Sequence, residues 1–226
     1  MRNLVGFDTE TTGVKPGQDR IVTAALVKRT AAGGQEAMTW LINPGVEIPP
    51  QAVAVHGITT ERARADGREP AGALEEIASS LAEALTQGAA ILAFNAAYDL
   101  RILNAELARY RLASLEERLG GAVAPVIDPL VIDRGVDRYR KGKRKLGDLV
   151  QFYGVAPSLN PHDALEDVRQ AIAVFDVIER QYGRVAAMDT AALHSWQQRI
   201  HHDWAVSFNS WLSSEGRPAD VDVDWP

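Results

Sequence analysis

Residues 6–13 read GFDTETTG and follow an apolar start, NLV, at residues 3–5. The apolar residues predict a buried strand from Asn3 to Asp8, with Asp8 and Glu10 at its end. Side chains two positions apart in an extended chain point the same way, so the carboxylates of Asp8 and Glu10 lie side by side. Because adjacent carboxylates repel each other at neutral pH, the pair requires a cation between them, unless it is only a polar strand end.

The composition bounds the class of protein. A chain of 226 residues, 46% hydrophobic, fits one domain with an appendage or two small domains. The net charge of −6 argues against tight nonspecific binding of duplex nucleic acid, but not against an enzyme that holds a few nucleotides through metal ions. The absence of cysteine excludes disulfides, thiolate catalysis and cysteine-based zinc sites. We see no signal peptide and no apolar stretch near the roughly 18 residues of a membrane span, and expect a cytoplasmic protein.

The order of predicted elements indicates the fold class. Glycine-containing turns join three strand-like segments that are expected to pair antiparallel: residues 3–8, 20–28 and 36–42. A proline-rich stretch, residues 43–59, predicts a structured loop or short helical turn. Two further short strands then alternate with helices, predicted at residues 73–85, 89–94 (strand), 96–110, 124–127 (strand), 130–138, 145–153 and 163–182. The sequence therefore predicts an α/β domain with a mixed sheet flanked by helices.

The chain changes character at Gly183, beyond which lie four of the five tryptophans and three of the five histidines. Large apolar residues there recur in steps of three or four and predict one long amphipathic helix: Leu193, Trp196, Ile200, Trp204, Phe208 and Trp211. We expect a domain at residues 1–182 and, at 183–226, a helical extension with an acidic tail. The apolar stripe must dock on the domain itself, on a second copy or on a partner. The neighbouring histidines are predicted to lie on the surface: His194, His201 and His202.

Two later stretches supply partners for the opening carboxylates. FNAAYDL, residues 94–100, places Asp99 just inside a helix that follows a buried strand, where open sheets gather functional groups. NPHDALEDV, residues 160–168, gives His162 in the lead-in to a helix and Asp167 one turn inside it. Asp163 and Glu166 are predicted to cap that helix.

Four carboxylates from three segments, with one histidine beside the last, describe a metal site with hard oxygen ligands. Such ligands suit Mg²⁺ or Mn²⁺, and the single histidine argues against zinc. Two ions about 4 Å apart can clamp a phosphodiester, one activating water and the other stabilising the leaving oxygen. Bound cations would explain why the chain tolerates the repulsion between its opening carboxylates.

These motifs, in this order and spacing, resemble the DnaQ-like family of 3′–5′ exonucleases in its DEDDh branch, which includes polymerase proofreading subunits and RNase T. The resemblance covers residues 2–182 and rests on FDTETTG, VHGIT at residues 55–59, NAAYD and HDALED. It implies an RNase H-like fold and a metal-dependent phosphodiesterase with two bound ions. The enzyme would release nucleoside monophosphates from 3′ ends.

The resemblance also implies individual roles for the acidic residues and the histidine. Asp8 would bridge both ions, and Glu10 and Asp167 would serve the ion on the nucleophile side. Asp99 would hold the second ion, largely through water. His162 would be the general base that takes a proton from the attacking water, a task that suits imidazole near neutral pH.

The terminal nucleotide of the substrate would be held in a pocket lined by Thr11, Val14 and His56, again by resemblance. Without the VHGIT motif, His56 reads as an ordinary turn or helix-cap residue. The chain departs from many relatives at Phe94, where they have histidine, and at Tyr98, where phenylalanine is common. Neither change removes a metal ligand.

Several alternatives stay open at this point. DNA with a free 3′ end, preferably single-stranded, is the favoured substrate and partner, and an RNase T-like or oligoribonuclease-like exoribonuclease is the alternative. A noncatalytic nucleic-acid-binding module would be expected to lack a metal acid, and a phosphatase of the haloacid dehalogenase type requires an aspartate where Glu10 stands. The basic run from Arg134 to Lys145 is either a track for substrate phosphates or a solvated loop. A homodimer or a protein partner through the C-terminal helix is a further expectation.

Overall fold

The structure, a computed structural model, describes residues 1–158, 160 and 162–226 and is built around a five-stranded sheet. The strand order is β3-β2-β1-β4-β5. The strands are β1 (Leu4–Thr11), β2 (Ile21–Arg29), β3 (Gln35–Leu41), β4 (Ala90–Leu92) and β5 (Val126–Ile127). β1 pairs antiparallel with β2, and β2 with β3, whereas β4 pairs parallel with both β1 and β5. The predicted mixed sheet is therefore confirmed.

Helices cover both faces of this sheet. They are α1 (Pro50–His56), α2 (Thr60–Asp66), α3 (Pro70–Thr86), α4 (Ala96–Arg109), α5 (Leu115–Leu119), α6 (Pro129–Val136), α7 (Leu146–Phe152), α8 (Ala164–Gln181), α9 (Gly183–Ala186) and α10 (Thr190–Ser214). The proline-rich stretch contains α1, while α2 and α5 were not predicted. In the described part of the chain, no helix combines the length and apolarity needed to cross a membrane.

One boundary changes the interpretation of the opening motif. β1 continues to Thr11, so Asp8 and Glu10 lie inside the central strand and not at its end, as the sequence suggested. The strand extends because its pairing with β2 continues through Asp8, Thr9 and Glu10 and is shifted only between Glu10 and Thr11. The hydrogen bonds that pair β1 with β2 therefore fix the backbone positions of Asp8 and Glu10.

The alternation of β1 decides which face receives these carboxylates. Val5 and Phe7 point into the core formed with α3 and α4, whereas Leu4 points into the core formed with α8. Gly6 shares the α8 face, and a Cβ atom there would lie 2.4 Å from Cγ1 of Val168. α8 thus approaches β1 closely, and residues two and four positions after Gly6 face the beginning of that helix.

The C-terminal helix α10 covers the edge of the sheet at β5. The ring Nδ1 of His194 accepts a hydrogen bond from the Val126 N–H at 3.2 Å. Gln197 accepts from the Asp128 N–H at 2.7 Å and donates to the Val126 carbonyl at 3.0 Å. Trp196 packs directly on Gly135 of α6, where a Cβ atom would lie 2.4 Å from the indole. Side chains of α10 therefore satisfy backbone groups that an edge strand would otherwise leave unpaired.

The histidine prediction for this helix was wrong at two of three positions. His202 is exposed, but His194 and His201 are only 8% and 7% exposed. His201 is buried because the acidic tail folds back over it, with its Nε2 3.0 Å from the Asp222 carbonyl oxygen. Trp225, near the end of the tail, is 6% exposed and joins the core around α4.

The apolar stripe predicted for α10 divides into two halves. Leu193 and Trp196 are buried against the sheet domain. Trp204 and Phe208 are only partly buried, and Trp211 is 46% exposed. The first half of the stripe therefore docks within the chain, and the second half presents aromatic rings to solvent.

Candidate active site

The structure brings the predicted carboxylates together between β1, α4 and α8. Asp8 and Glu10 come from the central strand, Asp99 from the first turn of α4 and Asp167 from the first turn of α8. Charges on Asp99, Glu10 and Asp167 all act on Asp8, which therefore lies near all three. Three distant segments therefore converge on one acidic cluster.

Asp99 is held in a fixed orientation. It is 3% exposed, and its Oδ1 accepts hydrogen bonds from the N–H of Thr9 at 3.0 Å and from the Thr9 hydroxyl at 2.6 Å. Thr9 lies between the two acidic residues of β1, on the opposite face of the strand. The strand that carries Asp8 and Glu10 thus also positions the carboxylate of α4.

Asp128 fixes the beginning of α4 and was not predicted from the sequence. Its buried carboxylate accepts hydrogen bonds from the N–H groups of Asn95 and Ala96, each at 3.0 Å. Asn95 has φ 63°, a left-handed conformation that asparagine tolerates better than most residues. The local signal was an aspartate after a strand and before Pro129, where it caps α6 by accepting from Leu130 at 2.9 Å.

His162 lies in the turn before α8, as predicted. Asp163 caps the helix by accepting hydrogen bonds from the N–H groups of Leu165 and Glu166, which confirms its predicted structural role. Glu166 instead pairs with Arg169 at 2.6 Å. His162 is exposed and has φ 65°. This turn directs the imidazole towards the cluster and not along the surface of α8.

One donor group within the described residues has the spacing of a metal site. A ligand atom of Glu10, one of His162 and one of Asp167 all lie within 4.8 Å of one another. Carboxylate oxygens with one imidazole suit a hard divalent cation such as Mg²⁺ or Mn²⁺. The proximity permits two roles for His162, a base beside the ion or a ligand to it.

The electrostatics of the cluster favour a bound cation. Burial, followed by the charges of Asp167 and Asp99, raises the pKa of Glu10 to about 8. Burial raises the pKa of Asp99 to about 7 although the Thr9 hydrogen bonds oppose the rise. Burial and neighbouring carboxylates also raise the pKa of Asp8. Since the charges acting on Asp8 and Glu10 all belong to carboxylates, full ionisation of the cluster is unfavourable unless cations such as divalent ions neutralise it.

Asp167 differs from the other acids because a histidine accompanies it. Burial raises the pKa of Asp167, while the ring and backbone N–H of His162 oppose that rise. His162 and Asp167 therefore act on each other directly. The pair places an imidazole, which can accept a proton, close to a carboxylate at the beginning of α8.

The predicted substrate residues occupy two different environments. Thr11 is tied down, because its hydroxyl donates to the Gly13 carbonyl at 2.6 Å and lies 2.7 Å from the Tyr98 hydroxyl. The Tyr98 hydroxyl also donates to the Gly13 carbonyl at 2.6 Å. Val14 follows on the turn after β1 and is 82% exposed. The hydrogen bonds of Thr11 and Tyr98 thus join the end of β1 to α4, whereas the side chain of Val14 is exposed to solvent.

His56 lies at the end of α1 beside the acidic cluster. Its Nδ1 accepts a hydrogen bond from the Ile58 N–H at 3.1 Å. Burial lowers its pKa, and His162 is among the groups that act on it. In the described part of the chain its buried Nε2 lacks a hydrogen-bond partner. His56 and His162 both line a cleft of about 700 Å³.

A second cleft contains two of the clustered carboxylates. Its volume is about 410 Å³, and its walls include Asp8, Asp99 and Tyr98 together with Arg144 and Lys145. Phe94, one of the two departures from the family pattern, also lines it. The basic run singled out in the sequence therefore reaches the acidic cluster through its C-terminal end.

The segment that contains the site matches a known family. A family profile described as "RNase_T: Exonuclease" matches residues 5–175. The DNA polymerase III subunit epsilon of Treponema pallidum is 29% identical over 174 residues, which are 76% of this chain and 74% of that protein. A DNA polymerase III subunit epsilon-like protein of Rhodobacter capsulatus is 40% identical over 105 residues, which are 44% of this chain and 14% of that protein.

Solved structures share the fold. E. coli Exonuclease I in complex with a dT13 oligonucleotide gives a TM-score of 0.71 at 23% identity, covering 82% of this chain and 42% of that one. Exonuclease I from Methylocaldum szegediense gives a TM-score of 0.67 at 22% identity, with the same two shares. The mixed sheet with its flanking helices is thus the RNase H-like fold of these exonucleases. This chain spans less than half of their length and only 14% of the Rhodobacter relative.

Proposed function

Because this chain belongs to the family described as RNase_T: Exonuclease, we propose that it is a DnaQ-like 3′–5′ exonuclease that shortens DNA from the 3′ end with two divalent cations as cofactors. The observation that carries the mechanism is the convergence of Asp8, Glu10, Asp99 and Asp167, whose neighbouring charges leave the two acids of β1 without compensation. All four acids that such a catalytic site requires are present, whereas a noncatalytic module would not require them.

The carboxylates would hold the ions in two groups. Asp8, Glu10 and Asp167 would bind one ion, and Asp8 with Asp99 a second. Bound Mg²⁺ or Mn²⁺ would help to ionise the attacking water and stabilise the charge of the leaving oxygen. The Thr9 hydrogen bonds fix Oδ1 of Asp99 and would so orient its carboxylate towards the second ion.

His162 would act on the proton of the nucleophile. As water attacks the phosphorus of the terminal phosphodiester, its proton passes to the imidazole of His162. The bond between phosphorus and the 3′-oxygen of the preceding nucleotide breaks, and that oxygen takes a proton from solvent. The products are a nucleoside 5′-monophosphate and a strand shorter by one nucleotide.

The terminal nucleotide would lie between the end of β1 and α1. His56 supports this placement because it lines the cleft that also contains His162, and Thr11 because the Tyr98 hydroxyl holds it at the end of β1. Val14 would contact the nucleotide from the exposed turn. We assign the exonuclease unit to residues 1–182 and the helical extension with its tail to residues 183–226.

The names of the relatives support DNA as the substrate, since two are DNA polymerase III subunit epsilon or similar to it and one is an exonuclease in complex with dT13. An RNase T-like or oligoribonuclease-like activity on RNA is the second candidate, because the same site chemistry would cleave either strand. A polymerase-type partner or a second copy at the C-terminal extension stays a proposal, and the cytoplasmic location stays a prediction from the sequence.

The test is a nuclease assay with three 5′-labelled substrates: single-stranded DNA, duplex DNA and single-stranded RNA. With Mg²⁺ or Mn²⁺ we expect a ladder that shortens from the 3′ end, fastest on single-stranded DNA. Asp8→Asn should abolish the ladder, whereas Asp220→Asn, which changes an exposed carboxylate of the tail, should leave it unchanged. Activity that survives in EDTA or in Asp8→Asn would refute the mechanism, and a faster RNA ladder would select the second candidate.

A further inference from the structure

The second half of α10 carries a ladder of aromatic rings outside the proposed catalytic centre. Trp204 and Phe208 stack with ring centroids 5.3 Å apart, and Phe208 and Trp211 with centroids 5.4 Å apart. The ladder spans about 10 Å along the helix at 1.5 Å per residue. Partly exposed aromatic rings in a row are costly to leave in water, which indicates a surface that binds something.

Five arginines surround this ladder. They line, with it, a groove of about 690 Å³: Arg134, Arg138, Arg140, Arg144 and Arg184. Asp203 is the acidic side chain in the same lining. In a chain whose net charge is −6, this groove therefore concentrates positive charge at one place. It fits a ligand that combines negative charges with flat apolar faces.

Three of these arginines are held in position by the protein. The carboxylate of Asp133, which is completely buried, pairs with Arg144 and, at 2.9 Å, with Arg140. Arg144 also donates to the Asp137 carbonyl at 2.6 Å. The guanidinium of Arg134 lies 3.6 Å from the ring centroid of Trp204. The groove is thus preorganised, and a ligand would order fewer side chains on binding.

The groove and the cleft of the acidic site share one lining residue. Arg144 lines both the groove and the cleft that contains Asp8 and Asp99. Lys145, the next residue, lines the cleft as well. A polyanion bound at the carboxylates would therefore leave the cleft past Arg144 and enter the aromatic groove.

We propose that this groove binds the single-stranded DNA segment on the 5′ side of the nucleotide being removed. Guanidinium groups would contact phosphates, and the aromatic ladder would contact unstacked bases, a combination typical of single-strand binding surfaces. The position of Arg144 at both the groove and the carboxylate cleft favours this ligand over an acidic peptide. The inference rests on the proposed function, and it assigns to the C-terminal extension a part in substrate binding.

The test compares a short and a long substrate. Trp211→Ala and Arg138→Glu change exposed residues of the groove, and Val206→Ala and Arg111→Glu are the matched controls. Val206 lies on α10 but outside the groove lining, and Arg111 follows the C-terminal end of α4, whose other end carries Asp99. KM and kcat are measured on dT4 and dT16, and binding of fluorescein-labelled dT16 is measured in the Asp8→Asn background.

Trp211→Ala should raise the KM and the Kd for dT16 about 5- to 150-fold, the range expected for loss of one base–aromatic contact, and Arg138→Glu should raise both through loss of a phosphate contact. The kcat values and the constants for dT4 should not change. Arg138→Glu should also reduce the slope of log Kd against log salt by the amount expected for loss of about one phosphate contact. The control variants should behave as the unmodified chain.

The outcomes separate this inference from the proposed function. Equal KM and Kd values for dT16 in the groove variants and the controls would overturn the inference. Cleavage of dT4 by the same proteins would still support the proposed nuclease activity. Weakened dT16 binding in a chain that cleaves nothing would uphold the groove and refute the proposed function. Binding of a labelled octaglutamate peptide that depends on Trp211 and Arg138, with dT16 unaffected, would assign the groove to a protein ligand and overturn the inference.

Discussion

Substitution of Gly6 by alanine tests how the spacing between β1 and α8 sets the acidic site. The added Cβ would lie 2.4 Å from Cγ1 of Val168 and 3.0 Å from Cδ1 of Ile172. Carbon atoms pack at about 3.5–4.0 Å, so strand and helix must separate locally by about 1 Å. Val168 follows Asp167 directly, and Gly6 shares its face of β1 with Asp8 and Glu10. The substitution therefore moves carboxylates of the two elements apart.

Two magnitudes follow from this displacement. Overpacking of a core costs about 1–3 kcal/mol, offset by about 0.5–1 kcal/mol because alanine is more favourable than glycine in a strand. A net loss near 1 kcal/mol lowers Tm by about 2–4 °C for a chain of this size. Misplacement of catalytic groups by about 1 Å can cost 100-fold in rate. We thus expect a small loss of stability and a large loss of kcat in Gly6→Ala.

The assay combines denaturant unfolding with kcat on 5′-labelled single-stranded DNA. Val168→Ala removes the clashing methyl group, so the double variant should recover stability by a coupling energy of about 0.5–3 kcal/mol and regain part of the activity. Gly121→Ala is the control, since a Cβ there meets open space. Unchanged kcat in Gly6→Ala, or no coupling with Val168→Ala, would refute the claim that this contact sets the site.

Three further predictions concern the base, the charges and the tail. His162→Ala should lower kcat about 100- to 10,000-fold as expected for loss of a general base, with Mg²⁺ affinity unchanged by calorimetry; an equal loss of affinity would make His162 a ligand. Because the raised pKa values of Asp99 (about 7) and Glu10 (about 8) mean that the folded state holds protons more tightly, the Tm of the metal-free protein should fall from pH 6 to 9. Mg²⁺ should remove this fall and Asp8→Asn should reduce it, and a flat Tm in EDTA would contradict the reasoning. Trp225→Ala should destabilise the chain by up to about 3–5 kcal/mol in chemical unfolding, whereas Trp225→Phe, which keeps the buried ring and removes an unpartnered N–H, should cost much less.

Local pattern predicted most of the elements and the site. The strands β1 to β3 and the helices α3, α4 and α8 were found within a few residues, because apolar spacing along a segment reports directly on the face that it buries. The positions of Asp99, His162 and Asp167 followed from their places at the beginnings of helices. Their convergence was predicted because open sheets gather functional groups where strands end and helices begin, and the resemblance to a family then implied their individual roles.

What the sequence determined by itself was therefore the order of elements and the acidic residues that meet at the central strand. Only the tertiary structure decided how the last part of the chain is used. His194 is buried because it accepts from a backbone N–H 68 positions away on the edge strand, and Trp225 because the tail returns across α4. That Arg144 lines both the aromatic groove and the carboxylate cleft likewise depends on where it lies relative to α10. These features arise from contacts between segments far apart in the chain, and periodicity within one segment carries no information about its distant partners.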